Sequence, residues 1–290
     1  MPRQKTQTAL PRLADRLELG RSGLRVSPFC LGMVEDPDTV SAAFDAGINF
    51  FFVSTDMHWP LYEPLRIGLR TLLARGGGVR DEIVVVGTSY VANPSFLQMP
   101  FRELLDAVPG LDRVDVCAVG GCDGTDVPAR RATIVEHRSR GFSGCRAAGA
   151  SFHDRATAVD AHGEGALDIA FVRYNADHPG AREDVFPLLG ESTTLLYGFK
   201  ALDGWVPPSA LERVVDLPKG IWLPRPVDHY RFALSGGGLD GLLCSPSTPA
   251  EIHSLAKAME NGPLTADEQE HLIDLAGLAR GDAHITPDRA

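Results

Sequence analysis

The sequence predicts an α/β fold on a parallel sheet, and three observations carry that prediction. Apolar runs of strand length alternate with longer amphipathic stretches from about residue 28 to residue 260, the pattern of repeated βα units. The strand-length runs number eight, at 28–33, 48–55, 83–89, 114–119, 146–151, 168–173, 194–199 and 240–244. No linker or low-complexity tract divides the chain, whose 290 residues and 44% hydrophobic content suit one α/β barrel as well as two small domains.

In chain order, residues 1–15 form a polar, Pro-bearing lead-in, expected to be flexible. Arg16-Leu17-Glu18-Leu19-Gly20 and Leu24-Arg25-Val26-Ser27, split by Arg21-Ser22-Gly23, read as a β-hairpin. Residues 61–75 carry Leu61, Leu65, Leu69 and Leu72-Leu73 at helical spacing. Helices are also expected over 129–140 and 180–189. A further one over 249–260 opens on Thr248-Pro249, with proline in the first turn, where its missing N–H costs nothing. The Pro-rich 203–228 stretch reads as an irregular loop over one barrel mouth. A single domain is expected over 16–280, with a tail at 281–290.

Composition removes several classes of function. Formal net charge is −10 and no basic stripe is present, so nucleic acid and anionic membranes are poor partners. Hydrophobic segments are too short and interrupted to span a bilayer. Met1 to Leu13 lacks the apolar stretch of a secretory signal. The five cysteines form no CxxC pair. Cys30, Cys117, Cys145 and Cys244 lie in or beside apolar runs, as small buried hydrophobes do, while Cys122 lies beyond a strand end. A reducing cytoplasm fits this usage best. The expected partner is a small-molecule or peptide substrate, with the oligomeric state open.

Gly47-Ile48-Asn49-Phe50-Phe51 resembles the second β-strand of the aldo/keto reductases, NADPH-dependent enzymes built on an eight-stranded α/β barrel. Leu19-Gly20-Arg21-Ser22-Gly23-Leu24-Arg25-Val26-Ser27 is similar to that family's opening LGRTGLKVS. Arg173-Tyr174-Asn175 with His178-Pro179-Gly180-Ala181 resembles a sixth-strand motif of bacterial members. Phe232-Ala233-Leu234-Ser235, Leu243-Cys244-Ser245-Pro246-Ser247 and Gly262-Pro263-Leu264-Thr265 resemble the last strand and closing helices. The shared order of these motifs implies a (β/α)8 TIM barrel whose bottom is closed by the 16–27 hairpin.

The same resemblance implies an altered catalytic site. The family uses an Asp, Tyr, Lys and His tetrad, and its GINFF run leads into Asp-Thr-Ala-Asp and then the catalytic tyrosine. Here the chain reads Phe52-Val53-Ser54-Thr55-Asp56-Met57-His58, which puts His58 where the tyrosine is expected. The lysine's strand end reads Val86-Gly87-Thr88-Ser89-Tyr90, and the histidine's reads Val119-Gly120-Gly121-Cys122. For the cofactor, Ser151 matches the serine that holds the nicotinamide amide, while Phe152 replaces the neighbouring asparagine. Tyr197 matches the tyrosine that stacks on nicotinamide. The cation for an adenosine 2′-phosphate is missing from 245–255, where Ser245, Pro246, Ser247 and Glu251 stand.

Active sites of α/β barrels are built at the C-terminal ends of the strands. Those ends carry Asp56, His58, Tyr62 and Glu63 after the second strand, and Thr88, Ser89 and Tyr90 after the third. Later strands add Ser151, His153, Asp154, His178, Tyr197 and Lys200. Asp154 also suits a helix cap. Lys200 is one of four lysines, and of these it alone ends a predicted strand.

Three readings follow. The first is an oxidoreductase using NADP(H) or NAD(H), with His58 as proton donor, Asp56 orienting it or raising its pKa, and Tyr62 as alternative donor. His153 and Lys200 are further catalytic candidates, and Ser151, Tyr197 and Ser245 are the cofactor contacts. The second is a metal-dependent enzyme in which His58 and His153 bind a first-row metal ion with Asp56, Glu63 or His178. The third is a binding protein that kept the barrel and lost the chemistry.

Overall fold

The computed structural model of the protein describes residues 9–91, 93–122, 127–214 and 217–280. Strands β1 (Leu17–Leu19) and β2 (Leu24–Val26) form an antiparallel hairpin. Eight parallel strands then close into a barrel: β3 (Phe29–Leu31), β4 (Phe50–Ser54), β5 (Val84–Ser89), β6 (Val116–Cys122), β7 (Ala147–Phe152), β8 (Ile169–Arg173), β9 (Leu195–Phe199) and β10 (Gly241–Cys244). They run in sequence order, and β10 pairs back onto β3 through Leu243 opposite Cys30. Each of the eight expected runs overlaps one strand, with β6 and β7 running on past 119 and 151 to Cys122 and Phe152, and the fold is a TIM barrel with an N-terminal hairpin.

Helix α1 (Asp38–Asp45) follows β3, and α2 (Glu63–Leu73) follows β4. The short α3 (Val79–Glu82) leads into β5, and α4 (Gln98–Ala107) follows it. Then come α5 (Val127–Arg140), α6 (Arg155–Glu164), α7 (Ala181–Asp184), α8 (Pro208–Val214), α9 (Pro226–Ser235), α10 (Pro249–Glu260) and α11 (Ala266–Arg280).

Four local expectations are corrected. The helix expected over 61–75 starts at Glu63, after a 3-10 turn over Trp59–Tyr62. The helix expected over 180–189 divides into α7 and a 3-10 turn at Phe186–Leu188, because Pro187 lacks the N–H needed to continue it. The 203–228 stretch contains α8, which begins on a proline. All five cysteines are free and buried, including Cys122, which ends β6 rather than lying beyond it.

Alternate strand residues face the barrel interior. Phe50, Tyr197, Phe171 and Phe52 fill it as a chain of edge contacts, with ring centroids 5.7, 5.9 and 5.4 Å apart in that order. Small residues opposite make room, since a Cβ on Gly241 would stand 2.6 Å from the Tyr197 ring.

The N-terminal end of the barrel is held by a repeated hydrogen-bond device. Asp115 precedes β6 and accepts from the Val85 N–H of β5 at 2.9 Å. Asp168 precedes β8 and accepts from Ala148 N–H of β7 at 2.9 Å. Asp240 precedes β10 and accepts from Leu196 N–H of β9 at 2.8 Å. Asn49 precedes β4 and accepts from Ser27 N–H, ahead of β3, at 2.8 Å. Each side chain satisfies an end N–H that the ladder leaves without a partner. Arg80 and Arg113 also donate to Asp115, and Arg138 to Asp168.

The hairpin sits on this end. Arg21 N–H donates to Asp168, and the Asn49 amide donates to the Arg25 carbonyl. Within the 1–15 lead-in, Leu10 and Leu13 are buried, and the Ser27 hydroxyl donates to the Leu13 carbonyl. Residues 1–8 and 281–290 lie outside the described residues. No helix among the described residues is long and apolar enough to cross a membrane.

Removing one partner of a buried, hydrogen-bonded ion pair costs roughly 3–5 kcal/mol. Asp168→Ala, which strands both Ala148 N–H and Arg138, is therefore expected to lower the unfolding free energy by about 3 kcal/mol in urea titration. A loss under about 0.5 kcal/mol would show that the ring does not hold the barrel.

A second prediction concerns His229 on α9, which is 1% exposed with neither ring nitrogen hydrogen-bonded to a described residue. Burial lowers its pKa to about 4, against a smaller opposing effect of Asp228. Its unfolded-state value is about 6.5. Between these values the unfolded chain takes up a proton that the folded chain refuses, so stability falls as pH drops from 6.5 to 4. The slope from this group reaches ~1.4 kcal/mol per pH unit. His229→Leu should flatten the acid limb of a stability-versus-pH curve, and an unchanged limb would exclude His229 as its source.

Candidate functional site

At the C-terminal mouth the barrel opens into a cavity of about 420 Å³. That volume lies within the range of small-molecule sites. Phe52, Phe171, Phe199, Leu61 and Leu243 give it apolar walls, and His58, Tyr62, Tyr90, Ser151 and Lys200 bring polar groups.

The segment between β4 and α2 is anchored from below by Arg66. This residue is fully buried on α2, donates to the Ser54 carbonyl at 2.8 Å and the Trp59 carbonyl at 3.3 Å, and lies 3.0 Å over the Trp59 ring. Burial lowers its pKa to about 10, opposed by Glu63, so it stays cationic at neutral pH. Arg130 does the same for the next loops. Buried on α5, it donates to the Gly120 carbonyl at 2.7 Å and the Ser89 carbonyl at 3.4 Å.

His58 is half-buried and lines the cavity, its ring meeting Tyr90 edge-on at 5.1 Å. The expectation that Asp56 orients it is not met. Asp56 accepts from the Ser89 hydroxyl at 2.7 Å, from Tyr90 N–H at 2.9 and 3.0 Å, and from Met57 N–H at 2.6 Å. Both carboxylate oxygens are thus engaged in tying the β4 and β5 loops together.

Tyr62 lines the cavity at 6% exposure, beside the Phe52 ring at 6.1 Å. Burial pushes its phenol well up, with Tyr90 and Cys30 adding to the effect. The Ser151 hydroxyl oxygen accepts from Gly121 N–H at 3.1 Å, which leaves its own proton for a ligand. His153 is exposed and packs its ring edge-on against Phe199 at 5.3 Å, while Asp154 caps α6 through Thr157 N–H. Lys200 stands at the lip with φ +58° and its ammonium 3.7 Å from Asp203. Ser245 also lines the cavity, its N–H donating to the Tyr230 hydroxyl at 3.0 Å.

Tyr197 does not line the cavity. It is fully buried lower in the barrel, where its hydroxyl donates to the Ser27 carbonyl at 2.7 Å. Phe199, two residues on and on the same strand face, reaches the mouth instead. That two-residue step was available in the sequence. Tyr230 arrives from α9 and carried no sequence signal, while Tyr90 was visible only as one of several polar residues after β5.

Among the described residues the metal reading lacks its third ligand. His58 and His153 share the cavity, but Asp56 is engaged as above, Glu63 lies 3.4 Å from Arg70, and His178 lies 3.2 Å from Asp177. Among the described residues no group of three or more His, Cys, Asp or Glu side chains is arranged to hold a metal ion. The residues fit a nicotinamide better, with the flat Phe199 ring and the Ser151 hydroxyl in one cavity. A 2′-phosphate fits poorly, because Glu251 accepts from Ser247 N–H at 2.8 Å and so places a carboxylate at the start of α10.

No family model and no curated protein matches the chain. Solved structures do. The holo form of the aldo-keto reductase AKR11C1 from Bacillus halodurans superposes with a TM-score of 0.66 at 16% identity, covering 96% of this chain and 100% of that one. A thermostable aldo-keto reductase in complex with the inhibitor epalrestat gives a TM-score of 0.67 at 14% identity, covering 90% of this chain and 99% of that one. The aldo/keto reductase from Brucella melitensis gives 0.61 at 14% identity, covering 92% and 100%. The chain therefore shares the fold of the aldo-keto reductases over nearly its whole length.

Proposed function

We propose that the protein is a nicotinamide-dependent oxidoreductase that reduces a small carbonyl compound at the C-terminal mouth of the barrel, with His58 as proton donor. The observation that carries this reading is the cavity itself, in which His58, Tyr62 and Ser151 face apolar aromatic walls on a barrel shared with aldo-keto reductases. A bound dihydronicotinamide would supply the hydride. Phe199 offers it a flat apolar face, and the Ser151 hydroxyl is free to donate to its amide. Lys200 brings a cation to the lip, suited to phosphate, and Ser245 adds a hydroxyl. His58 holds a proton beside the reacting oxygen, and the aromatic walls exclude water. Tyr62 is the alternative donor, its phenol kept protonated by burial.

Fluorescence titration with NADPH and NADH tests the cofactor. Binding is expected to be weak and to differ by less than about tenfold between the two, since no charge-assisted contact to the 2′-phosphate is supplied from 245–255. Absence of binding to either would remove the reading, and a tight NADPH-selective complex would mean that an arginine from elsewhere serves the phosphate. His58→Gln should lower turnover by roughly 10²-fold or more, the scale of a lost general acid, while dinucleotide affinity changes little. Unchanged turnover would transfer the donor role to Tyr62.

A further inference from the structure

Tyr90 immediately follows β5, and three separate devices fix it. Its N–H is held by both oxygens of Asp56. Its ring lies flat against Gly120, where a Cβ would stand 2.5 Å from the ring atoms Cε1 and Cζ. Any residue but glycine at 120 would displace it. The His58 ring meets it edge-on from the other loop. Side chains this constrained lose little entropy when they bind a ligand.

What the fixation leaves open is the hydroxyl. The hydrogen bonds of Tyr90 to described residues are those of its backbone N–H, so the phenol has no partner among the described residues, and it borders the cavity beside His58 and Tyr62. Burial raises the phenol's pKa, Asp56 adds to the rise and Arg130 opposes it, so the group remains O–H at neutral pH. Tyr62 is the weaker candidate for the same task, because its ring is sunk into the wall at 6% exposure against Phe52.

We propose that Tyr90 donates the hydrogen bond that holds the carbonyl oxygen of an aromatic or other flat apolar aldehyde or ketone in this cavity. The proposal rests on the oxidoreductase reading. In the reaction the carbonyl π bond breaks, the carbon gains the hydride and the oxygen gains the proton of His58. Tyr90 keeps its own proton throughout and stabilises the negative charge that develops on the oxygen. The class of substrate follows from the walls, where Phe52, Phe171 and Phe199 present ring surfaces, while the lysine and the carboxylate that also line the cavity, Lys200 and Asp203, stand 3.7 Å apart and offset each other.

The test uses 4-nitrobenzaldehyde as probe on the full-length protein. Binding is read without dinucleotide by quenching of tryptophan fluorescence, and turnover by NADPH or NADH consumption. Tyr90→Phe keeps the ring and removes the donor. It should weaken aldehyde binding by roughly 3- to 10-fold, the scale of one neutral hydrogen bond, and lower turnover by roughly 10²-fold or more. Dinucleotide affinity and melting temperature should stay at wild-type values. Gly120→Ala, which displaces the ring, should reproduce the loss and add little in the double variant.

Wild-type protein that binds neither dinucleotide sinks the oxidoreductase reading and this proposal with it. Wild-type protein that binds dinucleotide but neither binds nor reduces the aldehyde overturns the substrate class alone. If Tyr90→Phe binds and turns over the aldehyde as wild type does, the hydroxyl has no such role.

Discussion

The barrel depends on one repeated interaction, a polar side chain just ahead of every second strand that accepts the N–H of the preceding strand. Asn49, Asp115, Asp168 and Asp240 take these places around the N-terminal end. A parallel ladder that starts without such acceptors exposes N–H groups toward the protein interior, and each would cost about 1–3 kcal/mol. Carboxylates in that position need cations in turn, which Arg80, Arg113 and Arg138 provide from the loops and helices. The hairpin then has a surface to bind, because Asp168 and Asn49 each use a further atom to hold it.

With the bottom held in this way, the mouth can carry groups that contribute less to stability. Its loops are positioned through backbone carbonyls, by Arg66 below the β4 loop and Arg130 below the β5 and β6 loops. Both guanidiniums are buried, which leaves the cavity-facing side chains His58, Tyr62 and Tyr90 free of structural hydrogen bonds to described residues. Separating loop anchoring from ligand contact is what preorganises a site without using up its functional groups.

How much of this was legible in the sequence depends on the length scale. Strand number and the helix start at Thr248-Pro249 follow from local periodicity and proline chemistry, which need no tertiary information, while the closure of the strands into a barrel was implied only by the family resemblance. The ring also left a trace, in Val114-Asp115-Val116, Leu167-Asp168-Ile169 and Leu239-Asp240-Gly241, where an aspartate interrupts an apolar run just ahead of a strand. The errors at the site are errors of direction. Asp56 lies two residues from His58, but sequence proximity does not say which way a carboxylate points, and this one meets the end of β5. Tyr197 matches a family position by alignment, yet a strand advances about 3.3 Å per residue, so two residues separate a buried bottom layer from the mouth.

The ring also bears on how the chain finds its fold. Its four contacts span 22, 30, 20 and 44 residues of sequence. Loop-closure entropy grows only with the logarithm of the span, so each can form once its own βαβ unit exists, independently of the rest. Folding speed rewards such local contacts. Joining β10 to β3 is different in kind, because Cys244 reaches Cys30 across 214 residues. Four pre-assembled units turn that single distant meeting into the docking of finished parts, rather than a search by an unfolded chain.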